Sequence, residues 1–212
     1  IGKLITARTT DELVENLKET EYYAPLKKIK DTDNVTLYDY NLALDLYYYT
    51  STWKEQKKIL KKSDLELFMR DRGSKIDLLN IQWIYRAKKY YNMKPADIYL
   101  MLIPIHYKLS TELVKDMVEA PGVEEFENVV IRTTYARHYN FKQNLTMEQM
   151  YADCLHHLYT ADRRKNPYSV SAINTYLFLK EEELKKLTTV MECVRYGLNP
   201  GETAAYIGGR TR

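Results

Sequence analysis

The stretch Met147-Glu148-Gln149-Met150-Tyr151-Ala152-Asp153-Cys154-Leu155-His156-His157-Leu158 decides the fold class. Its apolar side chains, Met147, Met150, Tyr151, Cys154, Leu155 and Leu158, fall at i, i+3, i+4, i+7, i+8 and i+11, the spacing of a helix that is apolar along one side. Downstream, residues 168–195 read as a longer helix. Val170, Ile173, Leu177, Leu184, Leu187 and Met191 are expected to face inward, with Gly197 as the stop and Pro200 beyond it. Upstream, Ile76, Leu79, Ile84 and Tyr85 line one side of a helix expected over 76–91. Arg86, Lys88 and Lys89 sit near its end, where cations suit the negative pole of the helix dipole. Leu37, Tyr40, Leu44 and Tyr47 mark a further helix over 36–62. Ser63 and Asp64 then read as a cap, and Gly73 as a break before a new start at Ser74.

Punctuation agrees with this reading. The chain has 212 residues with seven glycines and six prolines, and neither occurs in 26–72, 123–166 or 168–196. Sheet proteins need a turn signal every 8–12 residues or so, which such stretches do not supply. The expected fold class is all-α. Hydrophobic residues at 45% and charged residues at 29% are the balance of a folded chain.

A net charge of +3 is too small to draw nucleic acid or anionic lipid from a distance, so any charged partner has to be met by a local patch. Two cysteines, Cys154 and Cys193, make no disulfide framework and no metal-binding pair, and an intracellular setting is expected. The most apolar run, 98–105, is interrupted by Pro104, whereas a spanning helix needs about 20 apolar residues; no membrane span is expected. The chain opens on Ile1 without a signal-peptide pattern, and the expectation is a fragment of a longer protein.

Three blocks recur in the same order. Residues 10–20 match 110–120 at Glu12/Glu112, Leu13/Leu113, Val14/Val114 and Glu19/Glu119. Residues 34–51 match 144–161 at Asn34/Asn144, Thr36/Thr146, Tyr49/Tyr159 and Thr50/Thr160. Asn80 and Arg86 pair with Asn174 and Lys180. The reading is two similar helical lobes, 1–100 and 101–212, joined near 92–107.

Residues able to carry chemistry are scattered. His156 and His157 are adjacent on a helix and point about 100° apart, and Asp153 with His157 lacks a third ligand. His106 and His138 stand without a nucleophile motif. No phosphate-cradling glycine loop is present, and Gly208-Gly209 comes too late to open a helix. Asn34-Val35-Thr36 and Asn144-Leu145-Thr146 match the glycosylation sequon but read better as helix caps. Glu181-Glu182-Glu183 reads as a solvated face. No catalytic residue, metal or cofactor is expected.

Two basic groups and the tyrosines suggest partner surfaces. Lys54, Lys57, Lys58, Lys61 and Lys62 end one helix, and Arg163, Arg164 and Lys165 end another; each also suits a helix C-terminus. Tyrosine supplies 20 residues, several adjacent, such as Tyr47-Tyr48-Tyr49 and Tyr90-Tyr91. Neighbours on a helix cannot all face one core, and tyrosine is enriched at interfaces.

Ile76-Asp77-Leu78-Leu79-Asn80 with Arg86 and Lys88, then Ile103-Pro104 and Leu109, resembles the C subunit of the rotary V/A-type ATPases, called the d subunit in vacuolar enzymes. So do Leu42-Ala43-Leu44-Asp45 with Tyr47 to Tyr49, and Asn174-Thr175-Tyr176-Leu177 with Lys180, Glu181, Glu183 and Leu184, closing at Gly197-Leu198. The likeness runs over nearly all of the chain. It implies an all-α, funnel-shaped protein of three similar lobes, of which this chain would hold two. The implied role is a socket without an active site, on the cytoplasmic face of the membrane. It would join the central shaft, made of the D and F subunits, to the membrane ring of ion-carrying subunits, with no nucleic acid and no direct membrane span.

For such a role Arg86, Lys88, Lys89, Arg163, Arg164 and Lys165 are the candidate partner contacts, while Asp77 and Asn80 organise helix packing. The alternatives are a stand-alone helical-repeat scaffold for an unrelated protein, and a helical enzyme with a cluster of titratable groups in a closed pocket.

Overall fold

The computed structural model describes residues 2–32, 35–138, 146–165 and 167–207; the side chains of residues 2, 3, 162 and 165 are not described. Among the described residues the structure is all-α, with no strand. The chain divides into two compact units, one formed by residues 1–59 and 93–105, the other by 60–92 and 106–212.

The first unit contains α1 (Gly2–Ile5), α2 (Thr10–Asn16), α3 (Tyr23–Lys30) and α4 (Leu37–Ile59), with α6 (Pro95–Met101) from its second segment. Thr9 starts α2 by accepting the Glu12 N–H at 3.1 Å, which satisfies one of the donors a helix start leaves open. Val14, Leu26 and Tyr40, one each from α2, α3 and α4, form a small core, and Leu17, Tyr23, Ile29, Val35 and Leu44 pack against it. Tyr40 and Leu44 thus face inward as the spacing predicts, whereas Leu37 is exposed. In the Tyr47-Tyr48-Tyr49 run only Tyr48 is exposed, and Tyr47 meets Tyr22 edge-on at 5.9 Å.

The second unit is built around α5 (Lys62–Lys89), with α7 (Thr111–Glu119), α8 (Val123–Val130), a single 3₁₀ turn (Ala136–His138), α9 (Met147–Lys165), α10 (Val170–Arg195) and α11 (Pro200–Tyr206). Helix α5 packs against α7, α8, α9 and α10. Between Asp71 and Ala87 it is therefore buried nearly all round rather than along one stripe: Ile76, Leu78, Ile81 and Ile84 are fully enclosed, and so are the polar Asp77 and Asn80.

Two expectations about α5 need correction. Ser63 and Asp64 lie inside its first turn, after Lys61 as N-cap, where Asp64 favours the positive end of the helix dipole. Gly73 does not break the helix, which runs through it unbroken. The glycine serves a close approach by Tyr107.

Helix α9 buries Met147, Met150, Cys154 and Leu155 as its spacing predicts. Thr146 opens it, accepting the Gln149 N–H at 3.2 Å while the Gln149 side chain accepts the Thr146 N–H at 2.8 Å. Asn34 and Asn144 of the two sequons, and Gly208 and Gly209, lie outside the described residues.

Helix α10 ends as read from the sequence. Gly197 has a φ of +72°, and the amides of Gly197 and Leu198 donate back to the carbonyls of Val194 and Cys193, both at 3.0 Å. Asn199 and Glu202 then form a reciprocal capping box at the start of α11, with Pro200 in its first turn.

The expected inward face of α10 is the largest difference. Ile173, Leu177, Leu184, Leu187 and Met191 are all exposed, and the helix instead buries Ser171, Thr175, Phe178 and Cys193. The ring of Phe178 stacks on Tyr159 of α9 at 4.7 Å. The Thr175 hydroxyl lies 2.9 Å from the Tyr159 carbonyl and 2.7 Å from that of Ser171. Small residues let α10 approach α9 and α5 closely, and that contact turns the larger aliphatic stripe away.

Candidate functional site

Of the basic groups singled out in the sequence, Lys54, Lys57 and Lys58 lie on α4 of the first unit, and the candidate partner contacts occupy two places in the second unit. Arg86, Lys88 and Lys89 lie in the last turn of α5. Arg163, Arg164 and Lys165 close α9, with Arg163 and Arg164 exposed. Arg86 approaches Glu148, in the first turn of α9, at 4.0 Å. Glu148 and Arg163 are 15 residues apart on one helix, or about 22 Å at the standard rise. The two clusters are separate patches.

Within the first patch the three cations do different things. Lys88 is half-buried, and its ammonium donates to the carbonyls of Val118 at 2.7 Å and Ala120 at 2.6 Å. These are carbonyls that the end of α7 leaves open, so Lys88 ties the end of α5 to the end of α7. Burial pulls its pKa below the ordinary 10.5.

The Lys89 ammonium donates to the Tyr85 hydroxyl and lies 5.7 Å from the centre of the exposed Tyr90 ring. That hydrogen bond pushes its pKa up. Arg86 is half open to solvent, and a single ion pair at 4.0 Å in that setting contributes little stability.

Replacing Lys88 by methionine keeps the stem but removes the donor from both carbonyls. The expected loss is about 1–3 kcal/mol of unfolding free energy, read as a lower urea midpoint with unchanged slope. A variant as stable as the parent would remove Lys88 from the frame of this patch.

The frame behind the patch is a polar centre on α5 that the sequence only half reveals. Asp77 is fully buried, and its carboxylate accepts the amide N–H groups of Tyr107 at 3.0 Å and Lys108 at 2.7 Å and the hydroxyl of Tyr135 at 2.8 Å. Burial pushes its pKa up from 3.8, while these donors pull the other way. One turn earlier, a Cβ on Gly73 would stand 2.5 Å from the Tyr107 Cγ. Gly73 admits the ring and Asp77 catches the amides, so together they fix the segment at 106–109. The available signal was their spacing of four, which puts both on one face of a helix.

The histidines and cysteines are placed as follows. His138, isolated in the sequence, comes beside His157 with ring centres 5.0 Å apart, and its Nε2 accepts from Arg137 Nε at 3.1 Å. Burial and the neighbouring Arg137 push the His138 pKa down. Burial also pushes the Cys154 thiol up to about 12, which keeps it protonated at neutral pH. Among the described residues no group of three or more His, Cys, Asp or Glu side chains converges as a metal site, and no helix is long and apolar enough to cross a membrane.

Comparison with known proteins gives a consistent result. The family model described as "ATP synthase (C/AC39) subunit" matches residues 1–206. The C subunit of the A-type ATP synthase of Methanosarcina mazei is 31% identical over 135 residues, 64% of this chain and 35% of that protein. That of Methanobrevibacter smithii is 26% identical over 92% of this chain and 53% of its own length. That of Pyrococcus abyssi is 24% identical over 98% of this chain and 57% of its own length. The chain thus spans about half the length of these last two relatives. No solved structure matches it.

Proposed function

The chain belongs to the ATP synthase (C/AC39) subunit family, and from that premise we propose that it is a non-catalytic part of the central stalk of a rotary ATPase. In this reading it links a shaft of D and F subunits to the membrane ring of ion-carrying subunits during ATP-coupled proton or sodium transport. It lies on the cytoplasmic face, peripheral to the membrane through the complex, and residues 1–100 and 101–212 are its related lobes.

The family match over residues 1–206 carries the reading. Physical support comes from α5, a 28-residue helix enclosed by four others and pinned to the 106–109 segment through Asp77. A part that transmits torque needs stiff elements of that kind.

The proposed contacts are the exposed Arg86 and Lys89 on one patch and Arg163, Arg164 and Lys165 on the other, with Lys88 fixing the helix end that presents the first. The test is co-elution of the full chain with purified D and F subunits at low and moderate salt. Charge reversal, as Arg86→Glu with Lys89→Glu or Arg163→Glu with Arg164→Glu, is expected to weaken the complex about tenfold or more and flatten its salt dependence. Unchanged binding would remove that patch. If the unaltered chain joined neither shaft nor ring, the stand-alone scaffold reading would replace this one.

A further inference from the structure

Helix α10 is held near its two ends and bare between them. Its start is anchored through Thr175 and Phe178, and Cys193 is buried at its finish, but no residue from 179 to 192 is buried. Its outward side carries Ile173, Leu177, Leu184, Leu187, Met191 and Val194, each 54–72% exposed. With Lys180 in the gap, these residues advance by steps of 4, 3, 4, 3, 4 and 3.

That is the 3.5-residue repeat which keeps one narrow seam turned toward a partner helix. A helix that only covers a globular core shows a broader stripe. The seam runs about 32 Å from Ile173 to Val194 at the standard rise. A groove of about 390 Å³ borders it, lined by His156, Leu179, Glu183 and Val190 and sharing Leu187 with the seam.

We propose that this stripe is the docking seam for one amphipathic helix of another protein. That helix has its own 4–3 apolar repeat, lysine or arginine beside the repeat at its middle, and an acidic or polar residue facing Lys180. The charges select this occupant. Glu181 and Glu183 stand on the two flanks of the seam, where coiled-coil partners exchange salt bridges. Lys180 occupies a seam position and bonds Glu183 at 2.7 Å.

A second copy of the chain matches these charges poorly. Laid antiparallel with Leu184 on Leu187 of the copy, it sets Lys180 against Met191 twice and meets Glu181 and Glu183 with the uncharged Thr188 and Val190. Laid parallel, it sets Lys180 on Lys180, a like-charge contact that disfavours the pair.

The inference rests on the docking role proposed above only for the identity of the neighbour. The probes are two synthetic helical peptides with leucine in a 4–3 repeat, one with lysine and one with glutamate at the flanking positions. Their binding to the full chain is read by fluorescence anisotropy, with helix content checked by circular dichroism. The lysine peptide is expected to bind at least tenfold tighter than its glutamate twin. Glu181→Lys with Glu183→Lys reverses that order, and Leu184→Glu with Leu187→Glu weakens both at least tenfold.

Equal binding of the two peptides, no binding of the lysine peptide, or binding untouched by the leucine substitutions overturns the proposal. So does self-association of the unaltered chain, by sedimentation equilibrium, that the leucine substitutions abolish. Co-elution with the D and F subunits is read separately. A chain that takes the lysine peptide as expected but not D and F keeps the seam and loses the stalk role. A chain that takes D and F but not the lysine peptide keeps the stalk role and loses the seam.

Discussion

Replacing Asp77 by alanine is expected to cost about 3 kcal/mol or more of unfolding free energy, because three donors lose their acceptor at about 1–3 kcal/mol for each buried group left unsatisfied. Three donors converge on this carboxylate, the amides of Tyr107 and Lys108 and the hydroxyl of Tyr135. Alanine leaves the buried Tyr135 hydroxyl and the part-buried amides of Tyr107 and Lys108 without this acceptor, and each unsatisfied buried group costs about 1–3 kcal/mol. Asp77→Asn keeps one acceptor oxygen but aims an NH₂ group at donors, so an intermediate loss is expected. Urea unfolding of the three proteins reads the order directly. If the alanine variant lost less than about 1 kcal/mol, a typical net hydrogen bond, the network would not hold the 106–109 segment in solution.

The same carboxyl gives the stability a pH dependence of known sign. Its folded pKa lies above the unfolded value, because burial outweighs the donors. Between the two values the folded chain binds more protons than the unfolded one, so this contribution to stability falls as pH rises through that window. Asp77→Asn lacks the step. Its penalty relative to the parent is therefore expected to be largest at the acid end, below 3.8, and to shrink as pH rises past the folded value.

Gly73→Ala is expected to destabilise by about 1–3 kcal/mol, the usual cost of overpacking. Helix propensity alone predicts the opposite sign, since alanine is favoured over glycine in a helix interior by about 1 kcal/mol. The decision lies with Tyr107, whose Cγ, Cβ and Cδ2 would stand 2.5, 2.7 and 2.8 Å from the new methyl group. These atoms sit near the backbone of a residue whose amide is held by Asp77, so they have little room to move. A double-mutant cycle with Tyr107→Ala isolates the clash: the methyl group should cost far less once the ring is gone. A stabilised single variant would show that the ring is free to leave the helix.

The four long helices of this chain were legible in outline because their signals are local. Spacing in 147–158 gave α9 its buried face, and Gly197 with Pro200 beyond it gave the end of α10, since a cap depends on residues within one turn of it. The family resemblance was legible in short ordered stretches, and the match over residues 1–206 agrees with it. Asp77 was readable as an organiser of packing, though its partners were not, because Tyr107, Lys108 and Tyr135 lie 30 to 58 positions away.

The sequence by itself determined an all-α chain, the outline of its four long helices and the family. Tertiary structure decided how these helices are used. It carried α5 unbroken through Gly73, buried most of that helix between Asp71 and Ala87, and gave Lys88 to the end of α7. It also left the strongest aliphatic stripe of α10 facing outward. Amphipathicity says only that a helix has an apolar side; which side is covered depends on where other elements can approach closely. For α10 that approach occurs at Ser171, Thr175 and Phe178, and no local pattern encodes which of two faces a distant helix will reach.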